Sequence, residues 1–171
     1  YQEIAINRTV EAVLRGKQRV LLTMATGTGK TFVAFQIIWR LWKAGKKKRI
    51  LFLADRNILA DQAYNAFSPF ADDARVRLDP RRLRATGHAP HNGSVFFTIF
   101  QTFMSGPGDT PNFGQSPPDF FDFIVIDECH RGGANDESNW RDILEYFARA
   151  VQLGLTATPK RKDNVDTYAY F

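Results

Sequence analysis

Two residue sets in this sequence are suited to chemistry: the glycine loop Gly27-Thr28-Gly29-Lys30-Thr31 and the carboxylate pair Asp127-Glu128. The loop follows a short apolar run, Arg19-Val20-Leu21-Leu22, and opens the helical-looking stretch from Phe32 to Trp39. A strand, a glycine loop ending in Gly-Lys-Thr and a helix form the context that a phosphate-binding loop requires. Glycines let backbone N–H groups turn inward around an anion with no Cβ in the way. The helix N-terminus adds unpaired donors and a partial positive charge. The stretch Ala25, Thr26, Gly27, Thr28, Gly29, Lys30 and Thr31 therefore suits ATP, with Lys30 reaching the β- and γ-phosphates and the Thr31 hydroxyl ligating Mg²⁺. One position departs from the pattern: Met24 stands where the first glycine is usual.

Phosphoryl transfer also needs a metal site and a group that orients the attacking water. Asp127, at the end of the apolar run Phe123-Ile124-Val125-Ile126, is placed to hold the metal, partly through water. Glu128 beside it can accept the proton of that water. Alone, an Asp-Glu pair reads first as a solvated strand end; the preceding strand and the phosphate loop turn the reading to catalysis. His130 admits a ligand role or a core role. One cysteine and three histidines, with His88 and His91 in a poorly patterned region, do not make a zinc set. Cys129 lacks the spacing of a Cys–His catalytic pair and is expected to lie buried beside the strand.

These residues need elements to carry them. Residues 2–15 place Ile6, Val10, Val13 and Leu14 on one helical face, stopped by Gly16. Residues 19–24 read as a strand apolar on both faces, as in the centre of a parallel sheet. A helix carries Phe32, Phe35, Ile38, Leu41 and Trp42 to a stop at Gly45. The strand Ile50-Leu51-Phe52-Leu53-Ala54 breaks at Asp55-Arg56, and a helix from Ile58 to Phe67 ends before Ser68-Pro69. Further strands are expected at 94–100, 123–126 and 151–155, and a helix at about 137–147. Residues 71–93 show no clear pattern, and 105–119 form a Gly/Pro-rich loop with no packed element expected.

Five apolar strands alternating with helices predict an α/β fold, an open parallel sheet with helices on both faces. In such sheets ligands bind beyond the C-terminal strand ends. Gly29-Lys30-Thr31, Asp55-Arg56, Gln101-Thr102, Asp127-Glu128 and Thr156-Ala157-Thr158 each follow a strand, so one rim is expected to carry them all. The basic run Lys46 to Arg49 precedes its strand and is expected as a solvated turn on the opposite rim.

The 171 residues make a one-domain length, and 44% hydrophobic with 24% charged residues is ordinary for a globular protein. No apolar run approaches the ~20 residues of a membrane span, so no membrane partner is expected. A lone cysteine, which has no partner for an internal disulfide, fits the cytoplasm. The net charge of +5 favours a polyanionic partner without requiring one. The chain opens at Tyr1-Gln2 without an initiator methionine and ends on Tyr168-Ala169-Tyr170-Phe171, so residues 1–171 are expected to be one lobe excised from a longer protein.

Taken together, Met24 to Thr31, Asp127-Glu128-Cys129-His130 and Leu155-Thr156-Ala157-Thr158-Pro159 resemble motifs I, II and III of superfamily 2 helicases and translocases. Phe52-Leu53-Ala54-Asp55-Arg56, with Asn57 to Gln62, resembles motif Ia. The runs Leu21 to Gln62 and Asp122 to Arg131, then Asn139-Trp140-Arg141 and Leu144 to Phe147, are most similar to the motor of the restriction (R) subunit of type I restriction–modification enzymes. The resemblance leaves out only residues 68–93 and 104–119.

That resemblance implies a P-loop NTPase lobe of RecA-like fold, the first lobe of an ATP-driven double-stranded DNA translocase using ATP and Mg²⁺. It implies that Tyr1 and Gln2 end an adenine-reading motif, and that Thr156, Ala157 and Thr158 couple nucleotide to DNA. His130 would link the metal-binding motif to the motif III strand, and Arg56, Gln101 and Thr102 would touch nucleic acid. The family tolerates a non-glycine residue where Met24 stands. It also implies a second RecA-like lobe with an arginine finger and a nuclease domain in the full-length chain, and specificity and methyltransferase subunits as partners. The lobe alone is then expected to bind nucleotide weakly and hydrolyse it very slowly. Two alternatives stay open: a strand-separating superfamily 2 helicase on DNA or RNA, and a nucleotide-gated binding module, which would have no need of Glu128. The role of the arginines at 75, 77, 81, 82 and 84 is undecided from the sequence.

Overall fold

A run such as Ile50 to Ala54 has no polar side, so it must be covered on both faces. The computed structural model describes residues 1–86, 92–106, 108, 110–129, 141–157 and 170–171, and it buries every residue of that strand. In chain order the elements are α1 (Gln2–Leu14), β1 (Arg19–Thr23), α2 (Lys30–Lys43), β2 (Ile50–Ala54) and α3 (Asn57–Ala66). Then come β3 (Arg75–Arg77), α4 (Pro80–Thr86), β4 (Val95–Ile99), α5 (Phe100–Met104), β5 (Phe123–Asp127) and β6 (Val151–Thr156). Residues 141–146 are helical and Phe147 begins a turn; residues 137–140 of the helix expected over about 137–147 lie outside the described residues.

The six strands form one sheet in the order β1-β6-β5-β2-β4-β3, with every pairing parallel. Alternation along each strand divides the core in two. Ile50, Phe52, Ala54, Phe97 and Val125 face one layer, which they share with Ile6 and Val13 of α1, Ile37 and Leu41 of α2, and Ala60 and Ala63 of α3. Leu51, Leu53, Phe96, Ile124 and Ile126 face the other, under Leu83 of α4, Phe103 of α5, and Ile143 and Leu144. An open parallel sheet with helices on both faces is what the sequence predicts. Among the described residues no helix is long and apolar enough to cross a membrane.

Three details correct the sequence reading. The strand at 19–24 is not central: β1 is an edge strand and only partly covered, whereas β2, β4, β5 and β6 are wholly buried. A sixth strand, β3, and the helix α4 lie in the stretch that showed no pattern. β3 is three residues long and presents one buried valine, Val76, between two arginines, too short for its alternation to register. Those arginines are structural. Arg75 Nη1 donates to the Tyr64 carbonyl at 2.8 Å, its guanidinium lies 4.6 Å over the Tyr64 ring, and Nη2 meets Asp72 at 2.6 Å. Arg77 donates to Asp61 Oδ1 and Asn57 Oδ1 on α3 and to the Leu78 carbonyl, each at 2.8 Å.

The third correction is the Gly/Pro-rich loop, which holds a 3₁₀ turn at Asn112–Gln115 with Asn112 buried. The Asn112 side-chain amide donates to the Thr102 carbonyl at 2.8 Å, and its backbone N–H donates to the Ser105 carbonyl at 2.8 Å. Tyr146 fastens the far side through its hydroxyl to the Ser116 carbonyl at 2.6 Å. At the N-terminal ends of the strands the basic turn lies where expected. Lys46, Lys48 and Arg49 are exposed, and the Asp122 carboxylate accepts the Lys48 and Arg49 N–H groups at 2.8 and 3.2 Å.

Phe67 is the hub of the first layer, fully buried with the rings of Phe35 and Phe97 each 5.1 Å away. Phe67→Ala is expected to cost about 3–5 kcal/mol through lost burial and the cavity left behind. Urea denaturation checks this as a lower midpoint at unchanged slope.

Candidate nucleotide site

β1 ends at Thr23, and the chain then turns over the C-terminal edge of the sheet into α2. Gly27 and Gly29 take φ values of 76° and 83°, in the left-handed region that a side chain disfavours. Gly29 has a second constraint, since a Cβ there would stand 2.6 Å from Gln2 Nε2. Thr28 folds the loop locally, its hydroxyl donating to the Ala25 carbonyl at 2.6 Å. The first intrahelical bond runs from Val33 N–H to the Gly29 carbonyl, so the N–H groups at the start of α2 face out of the helix end. Met24 explains its own presence: it is 1% exposed, with its side chain in the core beneath the loop rather than in the anion cradle.

The carboxylates come from β5. Asp127 is still in register with Leu155 of β6 and is buried. Glu128 then takes φ 54°, and among the described residues it is the non-glycine residue with positive φ. Such a backbone state costs of order 1–3 kcal/mol and persists where the surroundings impose it. Here they do: Cys129 N–H is bonded to the Leu155 carbonyl at 3.2 Å, closing the turn at once. The turn aims Glu128 back across the sheet edge, where its Oε1 forms an ion pair with Lys30 Nζ. Both side chains are nearly buried, at 11% and 13% exposure. The loop and the carboxylate pair thus make one site.

Other predicted residues divide. Gln2 joins the loop, its Nε2 donating to the Thr28 carbonyl at 2.7 Å. Tyr1 is 73% exposed and lines a 460 Å³ cleft between α1 and β1, away from the cleft that Gln2 lines. The aromatic in that second cleft is Phe32, 51% exposed; the helical pattern of the sequence groups it with Phe35, and nothing in its spacing separates the two. Thr156 is fully buried, and its carbonyl accepts the Met24 N–H at 2.9 Å; Ala157 follows at the strand end. His130 and Thr158 lie outside the described residues. Arg56 is exposed beside Asp55, and Gln101 is exposed on α5. Thr102 is 3% exposed, so its side chain is not offered at the surface in this conformation.

Hard oxygen donors are what Mg²⁺ takes, usually one or two carboxylates with waters and substrate phosphates completing the shell. Thr31 on the first turn of α2 and the buried Asp127 carboxylate fit that set. Among the described residues no three His, Cys, Asp or Glu side chains gather into a metal cluster.

The fold and this loop define a RecA-like, helicase-type P-loop lobe. The chain belongs to the ResIII family, described as "Type III restriction enzyme, res subunit", whose model matches residues 1–161. It is 53% identical over 172 residues to the type I restriction enzyme EcoAI endonuclease subunit of Escherichia coli, covering 100% of this chain and 20% of that protein. In structure it is similar to the UvsW helicase of bacteriophage T4, with a TM-score of 0.70 at 17% identity over 98% of this chain and 55% of that one. It is similar also to the type ISP restriction-modification enzyme LlaGI, with a TM-score of 0.64 at 21% identity over 95% of this chain and 17% of that one. The chain spans about a fifth of its EcoAI relative.

Cys129 is 2% exposed, and burial pushes its thiol up to about 12, with Asp127 and Glu128 adding to the shift. The thiolate is the reactive form, so from a starting value of 9.0 the shift lowers its population near pH 8 by ~10³-fold. A disulfide reagent is expected to label Cys129 very slowly in the native protein and quickly in urea. Fast native labelling that rises through pH 8–9 would contradict the burial assigned here.

Proposed function

We propose that this chain is the first motor lobe of an ATP-dependent double-stranded DNA translocase, part of a type I restriction endonuclease in the cytoplasm. The 53% identity to the EcoAI endonuclease subunit supports the assignment to that enzyme type. The observation that carries the chemistry is the Lys30–Glu128 ion pair, which brings the phosphate loop and the acidic turn into one site.

In this reading Lys30 and the loop amides of Ala25 to Thr31 hold the nucleotide phosphates. Thr31 and Asp127 would hold Mg²⁺, which would supply charge neutralisation on the phosphates. Lys30 exchanges the Glu128 carboxylate for phosphate oxygens, and Glu128 takes a proton from the attacking water. Gln2 reads the edge of the base, and the Phe32 ring offers an apolar face in the same cleft; Tyr1 reaches the base only by turning from its present place. Thr156, Ala157 and Thr158, with His130, pass the state of the site to DNA contacts that include Arg56 and Gln101. Residues 1–171 are one lobe of a longer chain that also carries a second RecA-like lobe, the arginine finger and a nuclease domain. Specificity and methyltransferase subunits complete the enzyme.

In the full-length protein, Glu128→Gln is expected to lower ATP turnover by about 10²–10⁴-fold while nucleotide is still bound. Lys30→Ala is expected to lose binding itself, as equilibrium binding of a fluorescent ATP analogue reads directly. Unchanged turnover in Glu128→Gln sinks the catalytic assignment.

Without the second lobe's arginine, hydrolysis by residues 1–171 alone is expected to be about 10³–10⁵-fold slower than in the full-length protein. Brisk DNA-stimulated hydrolysis by the lobe would show that the site is complete without a partner.

A further inference from the structure

We infer that Arg81 and Arg84 of α4, with the turn at Ser105 and Gly106, form a further site for the phosphodiester backbone of duplex DNA, at the end of the rim away from the nucleotide loop. The inference rests on the DNA-translocase reading above and extends its track to residues that neither the motifs nor the family resemblance assigns.

The arginines between 75 and 84 are not one basic patch. Arg75 and Arg77 spend their guanidinium groups on Asp72, Asp61, Asn57 and backbone carbonyls. Arg81 and Arg84 are exposed, and among the described residues neither has a carboxylate in an ion pair. They stand three apart on one helix, hence on one face. The nearest acid in sequence, Asp79, is turned to the helix backbone, where Oδ1 accepts the Arg82 N–H at 2.8 Å. Arg84 Nε donates to the Pro80 carbonyl at 3.1 Å, which fixes the stem, and among the described residues its two terminal nitrogens have no hydrogen-bond acceptor.

Arg84 forms one wall of a 310 Å³ cleft with Pro80, Ser105, Gly106 and Asn112. The opposite wall is fixed. A Cβ on Gly106 would stand 1.9 Å from the Thr110 carbonyl oxygen, so only glycine lets the loop close there, and Asn112 holds it to Thr102 and Ser105. A guanidinium fork beside a rigid polar turn, with a second arginine one helical turn before it, suits phosphate oxygens, which are bound without reading sequence.

Strand order supplies the direction. Along the C-terminal rim, β1 carries the phosphate loop, β5 the carboxylates, β2 leads to Arg56, β4 to Gln101, and β3 to α4. From β2 to β3 is two strand spacings, ~10 Å. That is the axial rise of roughly three nucleotides. The elements carrying Arg56, Gln101 and Arg84 therefore follow one another along the sheet away from the phosphate loop, an order that fits a polymer of phosphates.

The test uses the full-length subunit and a short DNA duplex without any recognition sequence, with the affinity measured from about 50 to 200 mM salt. Arg81→Ala/Arg84→Ala is expected to reduce the slope of log K against log salt by about 1.8, roughly 0.9 for each lost phosphate contact. The DNA concentration for half-maximal ATPase stimulation should rise in parallel. Arg81→Lys/Arg84→Lys, which keeps the charge, should recover most of the slope. Lys46→Ala/Lys48→Ala, on the opposite rim, should leave it at the wild-type value. An unchanged slope in the arginine pair overturns the site, as does an equal loss in the lysine pair, which would make net charge the cause. If Arg56→Ala weakens DNA binding while the α4 pair does not, only this site fails; a wild-type subunit that does not bind duplex DNA takes the functional reading with it.

Discussion

The Lys30–Glu128 ion pair is the contact on which the nucleotide site depends, and the sheet makes it hard to form. Lys30 follows β1 and Glu128 follows β5, yet β6 lies between those two strands. The gap is ~10 Å at ordinary strand spacing. Two things bridge it: the long lysine stem, and the left-handed turn at Glu128 that throws its carboxylate back over the end of β6. Both charges are nearly out of water, where removing one partner leaves the other uncompensated. The ammonium and the carboxylate thus neutralise each other. In the proposed function, phosphate oxygens compete with Glu128 for the ammonium, and the displaced carboxylate takes the proton of the attacking water.

β6 also sets the height of both halves. Its consecutive carbonyls face opposite neighbours: Thr156 O accepts the Met24 N–H at the root of the phosphate loop, and Leu155 O accepts the Cys129 N–H that closes the acidic turn. A shift of this one strand end moves the loop and the carboxylates together. In the proposed function, Thr156 couples to the site through its backbone bond to Met24 rather than through its side chain, which is fully buried.

The chemistry-bearing residues were legible because each set is local. Gly-Lys-Thr after a strand, and Asp-Glu at the end of another, carry their meaning within a few residues. The contact between them was not, since Lys30 and Glu128 are separated by 98 positions and only the sheet order joins them. Phe32 and Phe35 share a helical pattern, but one stands 51% exposed and the other is buried, a distinction made by what packs above them. β1 looked central because its residues are apolar; it lies at the edge because no described strand pairs with its other side. β3 escaped notice for the opposite reason, as its arginines disguise a strand whose charges are spent on the α3 side.

Those arginines separate the two ends of the rim in kind. Arg77 ties Asn57 and Asp61 of α3 to the Leu78 carbonyl, just before α4, so the helix that follows Arg56 and the helix that carries Arg84 are fastened through one guanidinium. Its partners are all protein groups, and no step of the chemistry offers a replacement for them. The other end is fastened by the Lys30–Glu128 ion pair, which in the proposed function phosphate replaces. A lobe built this way can change its contacts at one end while the elements at the other keep their spacing, which is the mechanical requirement for passing a local exchange of charge to a long, regular polymer.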